Sequence, residues 1–323
     1  MPPAVVIGPR SEPWKMTPAG LLTPQHRGVI TKRFIRMDST LTPEQRQKGA
    51  DFYPIWHDDS SAMSHIMGGG SVTPTHAAAV LARLSPATGA DPNRMMGFQF
   101  SHLFANGRMD RIDQAAQDMA DNPLPMRTSK SGKKVIDTSH PDYDKIVSRR
   151  EQIRQSVGIS RGTPLANQSM INIAAAYHAT QHSDPLSTLG KVKIGDFGRT
   201  IDNPDYGRAP IDTHIYDLGE GRTDIPYKAA RNLTAVNKSG TNPHYEHRQA
   251  ALESARQIAA PESRMGAFMG GLWFGMRDLK QSQNPGSAST EKAHQTMVNN
   301  FRNHPEAGMF DPVRLGRPSL QDF

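Results

Sequence analysis

The chain contains no cysteine. That absence excludes disulfides, thiolate catalysis, cysteine-ligated zinc and cysteine-ligated iron–sulfur clusters. Long apolar runs are missing too: nothing approaches the roughly 20 residues that span a bilayer. The opening MPPAVVIGPRSEPWK lacks the charged start and apolar stretch of a secretory signal. These features imply a soluble, cytoplasmic protein without membrane contact. Alternating strand patterns are scarce and no internal repeat is visible, which leaves an all-α body. Apolar residues make up only 36% of 323, against 25 prolines and 27 glycines, so much of the chain should be loop, arm or tail. Acids are in the minority, and the net charge of +7 favours an acidic partner such as nucleic acid. A mildly basic surface with no partner would give the same number.

Residues 1–45 read as an extended basic arm. Pro2, Pro3, Pro9, Pro13, Pro18 and Pro24 each remove a backbone donor, and residues 1–50 hold eight Lys/Arg against three acids. Such an arm can hold phosphates or serve as a solubilising leader. A helical domain is expected over 46–280, its first helix capped by Thr42 with Pro43 behind it. Gly68-Gly69-Gly70 breaks that helix and Thr73-Pro74 opens another, with Ala77, Val80, Leu81 and Leu84 on one stripe. The triple glycine lacks the G-x-x-x-x-G-K-[ST] phosphate-loop pattern.

A polar insertion at 122–140 carries Arg127, Lys130, Lys133 and Lys134 in MRTSKSGKK. This run can touch a nucleic-acid backbone or stand as an exposed loop. Further helices are expected near Tyr143–Val157, Pro164–His182, His244–Ala259 and Glu262–Leu279, the last with Phe268, Leu272 and Met276 in the core beside Trp273. Residues 281–323 turn polar and proline-broken, and read as a flexible tail with room for one short helix but no core of its own.

The segment with most chemical content is LGKVKIGDFGRTIDNPDYGRAPIDTHIYDL, residues 189–218. Gly190 permits a tight turn before a basic helix start, from which Ile194 and Phe197 pack inward. The loop DNPDYGRAP leads into Ile211-Asp212-Thr213-His214-Ile215, where Asp212 can accept backbone N–H bonds at a helix N-terminus. That alone makes it a helix cap.

Ile-Asp-Thr-His-Ile-Tyr is similar to the V-D-T-H-[VI]-x-R motif of helix-hairpin-helix DNA glycosylases. The run Leu189-Gly190-Lys191-Val192-Lys193 resembles that family's L-P-G-V-G-x-K-T-A hairpin. A second likeness covers about residues 50–280. Val80 to Pro86, followed by Asn93, is similar to the A-x-L-S-P-x-x-x-W-x-x-N signature of phage members related to the α-glutamyl/putrescinyl-thymine pyrophosphorylases.

These resemblances imply a two-lobed helical fold, binding to DNA and no cofactor. They imply a reaction on an extruded hydroxymethyl-pyrimidine-derived nucleotide, in which an amine or amino-acid co-substrate replaces pyrophosphate in the host cytoplasm. Asp212 would be the catalytic carboxylate and Lys193 a charge or nucleophile. Gly190 and Lys191 would grip phosphate, with His214, Ser85, Asn93 and the MRTSKSGKK cations as further nucleic-acid contacts. An N-glycosylase or lyase, and an inert DNA-binding or structural scaffold, are the alternatives. The sequence departs from the motifs in having one hairpin glycine, no signature Trp and no Arg after D-T-H.

Ser85 can equally end a helix and Asn93 cap the next. His178 and His182, with Asp184, have a spacing that could hold a metal, and His244 with His247 form a second pair. Neither pair has evident further ligands, so no metal is expected. Phe52, Tyr53 and Trp56 could stack on a base, although helix packing uses the same residues.

Overall fold

The computed structural model describes residues 22–86, 89–129, 132–190, 192–222, 242–283 and 288–319. Residues 1–21, Lys130 and Lys191 lie outside them, so the first half of the expected arm and two expected phosphate contacts are not described. Among the described residues the regular structure is helical except for one two-stranded ribbon.

The helices start by one recurring device, a capping side chain followed by proline. Thr23 accepts from the His26 N–H and Pro24 opens α1 (Pro24–Thr40). Thr42 and Gln45 bond one another's backbone N–H at the head of α2 (Pro43–Ile66). At α3 (Pro74–Leu84) the His76 imidazole accepts from the Thr73 N–H. Proline at the first helical position loses no bond, because that N–H has no intrahelical partner anyway.

The arm expected over 1–45 is therefore helical from Pro24 onward. Ile30, Phe34 and Met37 bury one side of α1. Proline density suggested an extended chain, but Pro24 is a helix start. Gly68, Gly69 and Gly70 all take positive φ and end α2, as a helix break requires.

Helix α3 is the axis of the molecule. Ala77, Ala78, Ala79, Val80, Leu81 and Ala82 are all fully buried, so the helix is enclosed on every side. Around it lie α2, α4 (Ala90–Ala105), α7 (Met170–Thr180) and α8 (Val192–Asp202). The small alanines allow this crowding. Beyond α8 come α9 (Thr213–Glu220), α10 (Pro243–Ala259) and α11 (Met265–Gln283).

Helices α2 and α11 cross with their backbones in close approach. A Cβ on Gly49 would sit 2.2 Å from the Gly271 backbone nitrogen, and one on Gly270 would sit 2.9 Å from Gly49 Cα. Only glycine permits backbones to meet so closely.

Between α5 (Ile112–Asp121) and α6 (Tyr143–Ser156), the polar insertion forms an antiparallel ribbon of β1 (Met126–Thr128) and β2 (Lys134–Ile136). The region expected to be a tail is also built. Helices α12 (Ala288–Arg302) and α13 (Ala307–Phe310) pack on α4, burying Val298, Phe301, Ala307 and Phe310. Four buried apolar residues in a largely polar stretch cannot make a core alone, but they suffice to dock on one that exists. Arg317 then bonds Asp59, and Ser319 donates to Asp91 at 3.0 Å.

Candidate functional site

The loop before α9 is held by charge. The Arg208 guanidinium donates to both oxygens of Asp196, at 3.1 and 3.2 Å, and to both oxygens of Glu246 at 2.9 Å. The Arg208 carbonyl accepts from the Thr200 hydroxyl. Ile211, buried, donates its N–H to the Tyr245 hydroxyl at 3.0 Å. With both ends fixed, the chain turns into α9 with Asp212 at the N-cap in extended backbone.

Asp212 uses both carboxylate oxygens. Oδ1 accepts from the Ile215 N–H at 3.0 Å, as a cap does. Oδ2 accepts from the indole N–H of Trp273 at 2.6 Å, across 61 residues of sequence. Trp273 reaches this position from α11, next to the glycine crossing with α2. Its ring stacks on Phe52 of α2 (centroids 5.9 Å, 25° between planes) and meets the His214 ring edge-on at 5.2 Å. Arg277, one turn later, lies 5.4 Å from the Trp273 ring centroid, and Lys280 pairs with the buried Asp217.

His214 sits in this neighbourhood as a neutral imidazole. Burial pushes its pKa down, and the cations Lys280, Arg277 and Lys193 push the same way against Asp212. Its Nδ1 is buried with no hydrogen-bond partner among the described residues. Asp212 and Lys193 thus both act on one imidazole, which puts them in the same electrostatic neighbourhood. Burial, with Asp212, Tyr245 and Asp196 adding to it, also raises the Tyr53 hydroxyl well above the usual tyrosine range.

One contrast sets Asp212 apart. Among the described residues the buried carboxylates are paired with a guanidinium or an ammonium. Asp38 pairs with Arg46, Asp91 with Arg94, Asp196 with Arg208, Asp217 with Lys280, Glu220 with Arg248 and Asp311 with Arg302. Asp59 has two partners, Arg94 and Arg317. Asp212, half-buried, is held by two neutral N–H donors. Its charge is oriented without being cancelled at contact distance, while cations stand farther off. Such a group can stabilise a developing positive charge or accept a proton.

The structure places the other expected residues unevenly. Lys193 is exposed in the first turn of α8. Gly190 is exposed, but its N–H donates to the Thr188 carbonyl at 2.9 Å, so that amide is not directed at a phosphate. Its φ lies outside the left-handed region, so the turn does not require glycine on that ground. A groove of about 380 Å³ runs beside it, lined by Leu189, Gly190, Val192, Arg199, Tyr206 and Arg208 among others; Asp212 does not line it.

Asn93 is 1% exposed and donates to the Leu81 carbonyl at 3.1 Å, which ties α4 to α3. Its expected contact with a nucleotide is corrected accordingly: the side chain is inside the core. Ser85 is half-buried and donates to the Ala82 carbonyl at the end of α3. Arg127, Lys133 and Lys134 are exposed on the ribbon.

Tyr53 and Trp56 are buried, so of the three aromatics of α2 only Phe52 reaches the site. His178 bonds Asp113 at 2.8 Å, and no group of three or more His, Asp or Glu among the described residues could hold a metal.

Trp273, Arg277 and Lys280 are the site residues that the sequence reading did not assign. The available signal was the spacing Gly266, Gly270, Gly271 and Gly275 in α11, which marks a close helix crossing and so fixes Trp273 on a defined face. No family model, no curated protein and no solved structure matches this chain. Among the described residues, no helix is long and apolar enough to cross a membrane.

Proposed function

We propose that the protein acts on nucleic acid, as an enzyme that modifies an extruded nucleotide with Asp212 as its working carboxylate. The observation that carries this reading is the Asp212 contrast: a half-buried carboxylate held by a helix N–H and an indole N–H, next to a neutral imidazole. Bases must leave the stack before chemistry can reach them. Phe52 and Trp273 supply an aromatic pair beside Asp212, and Lys193 supplies an exposed cation. The motif resemblance of residues 189–218 to helix-hairpin-helix DNA glycosylases points to the same carboxylate.

The finer reading follows the resemblance to the thymine-modifying phage group. The bond from the hydroxymethyl carbon to pyrophosphate breaks, and pyrophosphate leaves with the electron pair. An amine or amino acid bonds to that carbon and releases a proton. Asp212 would stabilise the electron-poor carbon, and His214, neutral at the start, would take the proton.

A second reading, an inert DNA-binding scaffold, is favoured by one observation. Both Asp212 oxygens already have donors, and the residue lies outside the groove beside Gly190. Nucleoside mass spectrometry separates the readings, using unmodified, hydroxymethylated and pyrophosphorylated DNA incubated with the protein. A mass gain supports transfer, a free base supports glycosidic cleavage, and unchanged DNA with retained binding supports the scaffold.

A further inference from the structure

The segment from Asn122 to Ile159 is built unlike the rest of the molecule. It carries eight Lys/Arg against four Asp/Glu, more than half of the net charge of the chain. Ribbon residues Met126, Arg127, Thr128, Lys134 and Ile136 are all exposed, and only Val135 is half-buried. Met126 stands opposite Ile136 and Thr128 opposite Lys134, so these four share one face. A two-stranded ribbon with neither face covered is marginal in water. This one is presented to solvent by α5 and α6.

Helix α6 divides its cations into two groups. Arg150 donates to the Met119 and Asn122 carbonyls, at 3.1 and 2.7 Å, and closes the end of α5. Arg154 donates to the Gln168 carbonyl. These two fasten the segment to the body.

Lys145 and Arg149 do the opposite. Both are exposed, and being four residues apart they share a face about 6 Å apart along the helix axis. With Asn122, Ser148 and Gln152 they line a groove of about 660 Å³ that Asp142 and Ile146 complete. Neither they nor the ribbon's Lys133 and Lys134 have a carboxylate partner among the described residues. Although Asp142 lines the same groove, it pairs with neither cation, and this contrasts with the paired charges of the core.

We propose that residues 122–129 and 132–159 form a docking arm for double-stranded nucleic acid. Lys145 and Arg149 grip the phosphate backbone, and the ribbon lies in the adjacent groove of the duplex. The proposal rests on the reading that this protein acts on nucleic acid, and it adds that the target nucleotide is presented within a duplex held at a second place. Three features select this partner.

The four unpaired cations are divided between two elements, two at the ribbon and two on α6, which suits a repeating anion better than a single one. The groove adds amide and hydroxyl donors, the groups that accompany Lys and Arg on phosphate oxygens. A two-stranded ribbon also fits the width of the major groove. A lipid surface would need a broader apolar face than Met126 and Ile136 provide.

The test uses the full chain and fluorescence anisotropy with a labelled duplex of about two helical turns and the matching single strand. Affinities are measured from about 50 to 200 mM salt. Lys145→Ala/Arg149→Ala should weaken duplex binding at least tenfold at low salt. It should also flatten the slope of log affinity against log salt by about two, with an unchanged Tm because both side chains are exposed. Lys133→Ala/Lys134→Ala should act in the same direction.

An unchanged slope and affinity in both variants, with wild-type binding intact, overturns the arm and leaves the Asp212 reading standing. Tighter binding of the single strand than of the duplex, or equal displacement by polyglutamate at matched charge, also overturns it. Arm-dependent duplex binding with no product from any DNA substrate supports the arm and overturns the enzymatic reading.

Discussion

Asp59 is a fully buried carboxylate and Asp212 a half-buried one, and the fold treats them in opposite ways. Asp59 is fully buried between two guanidinium groups, Arg94 from α4 and Arg317 near the end of the described chain. Asp91 holds the other side of Arg94 at 2.8 Å and accepts from Ser319. Two negative charges meet two positive ones, and nothing is left to act on a ligand. Asp212 receives the same number of contacts, but from an amide N–H and an indole N–H. The difference separates a charge that ties elements together from a charge that is merely aimed.

The largest expected effect lies on the paired side. Asp59→Asn leaves Arg94 and Arg317 facing a neutral amide in a buried place. Removing one member of a buried pair costs about 3–5 kcal/mol, and denaturant titration should read a loss of that size. Asp212→Asn should cost only about 1 kcal/mol of stability, because Asn still caps α9 although its NH₂ cannot accept from Trp273. Product formation, followed by nucleoside mass spectrometry, should fall at least a hundredfold, about the loss seen when a preorganised charge or donor is removed. Equal stability losses in the two variants would erase the comparison and make Asp212 a structural tie.

Trp273→Phe sharpens the point, since it keeps an aromatic ring against Phe52 and removes only the donor. Roughly tenfold slower turnover, with DNA affinity within twofold of wild type, would match the loss of one orienting bond worth about 1 kcal/mol. A larger loss of affinity than of turnover would instead make Trp273 a binding surface.

The smallest effect concerns the imidazoles. Burial, and then the nearby His26, Arg248, Arg27 and His244, push His247 down to about 4. Below the ordinary histidine value near 6.5 the unfolded chain takes up a proton that the folded chain refuses until about pH 4. Stability is therefore full above that window and falls as pH drops through it. His214 and His244, also lowered, act with the same sign. Tm should decline by a few degrees between pH 7 and pH 5, and His247→Gln should flatten the decline. An identical pH profile in the variant would remove His247 from the cause.

Local signals in the sequence proved readable. Thr42-Pro43 and Thr73-Pro74 start helices because capping involves residues three apart, and the alanine-rich run of α3 implies a buried stripe. Asp212 was legible as a helix cap for the same reason. Trp273 was not, because its partner is 61 residues away and depends on a crossing set by Gly49 and Gly271. Pro24 misled because proline opposes a helix interior yet favours its first turn. The C-terminal helices were hidden by composition: Val298, Phe301, Ala307 and Phe310 are too few to announce a core, and they borrow one from α4. The ribbon was missed because each strand is only three residues long, shorter than any alternation that a sequence can display.

The bond from Arg317 to Asp59 spans 258 residues, which gives the fold a timetable. A ribosome adding about 5–20 residues per second makes Arg317 some tens of seconds after Asp59. For most of that interval, once Ala105 has been added, α2, α3 and α4 are complete and Asp59 has one of its two cations, Arg94. The nascent chain can collapse around α3 but cannot complete its charge pairing until nearly the whole of the described chain has emerged. A message truncated a few codons before Arg317 would still encode every helix of the described residues, yet Asp59 would keep one cation of two and Asp91 would lose the Ser319 hydroxyl.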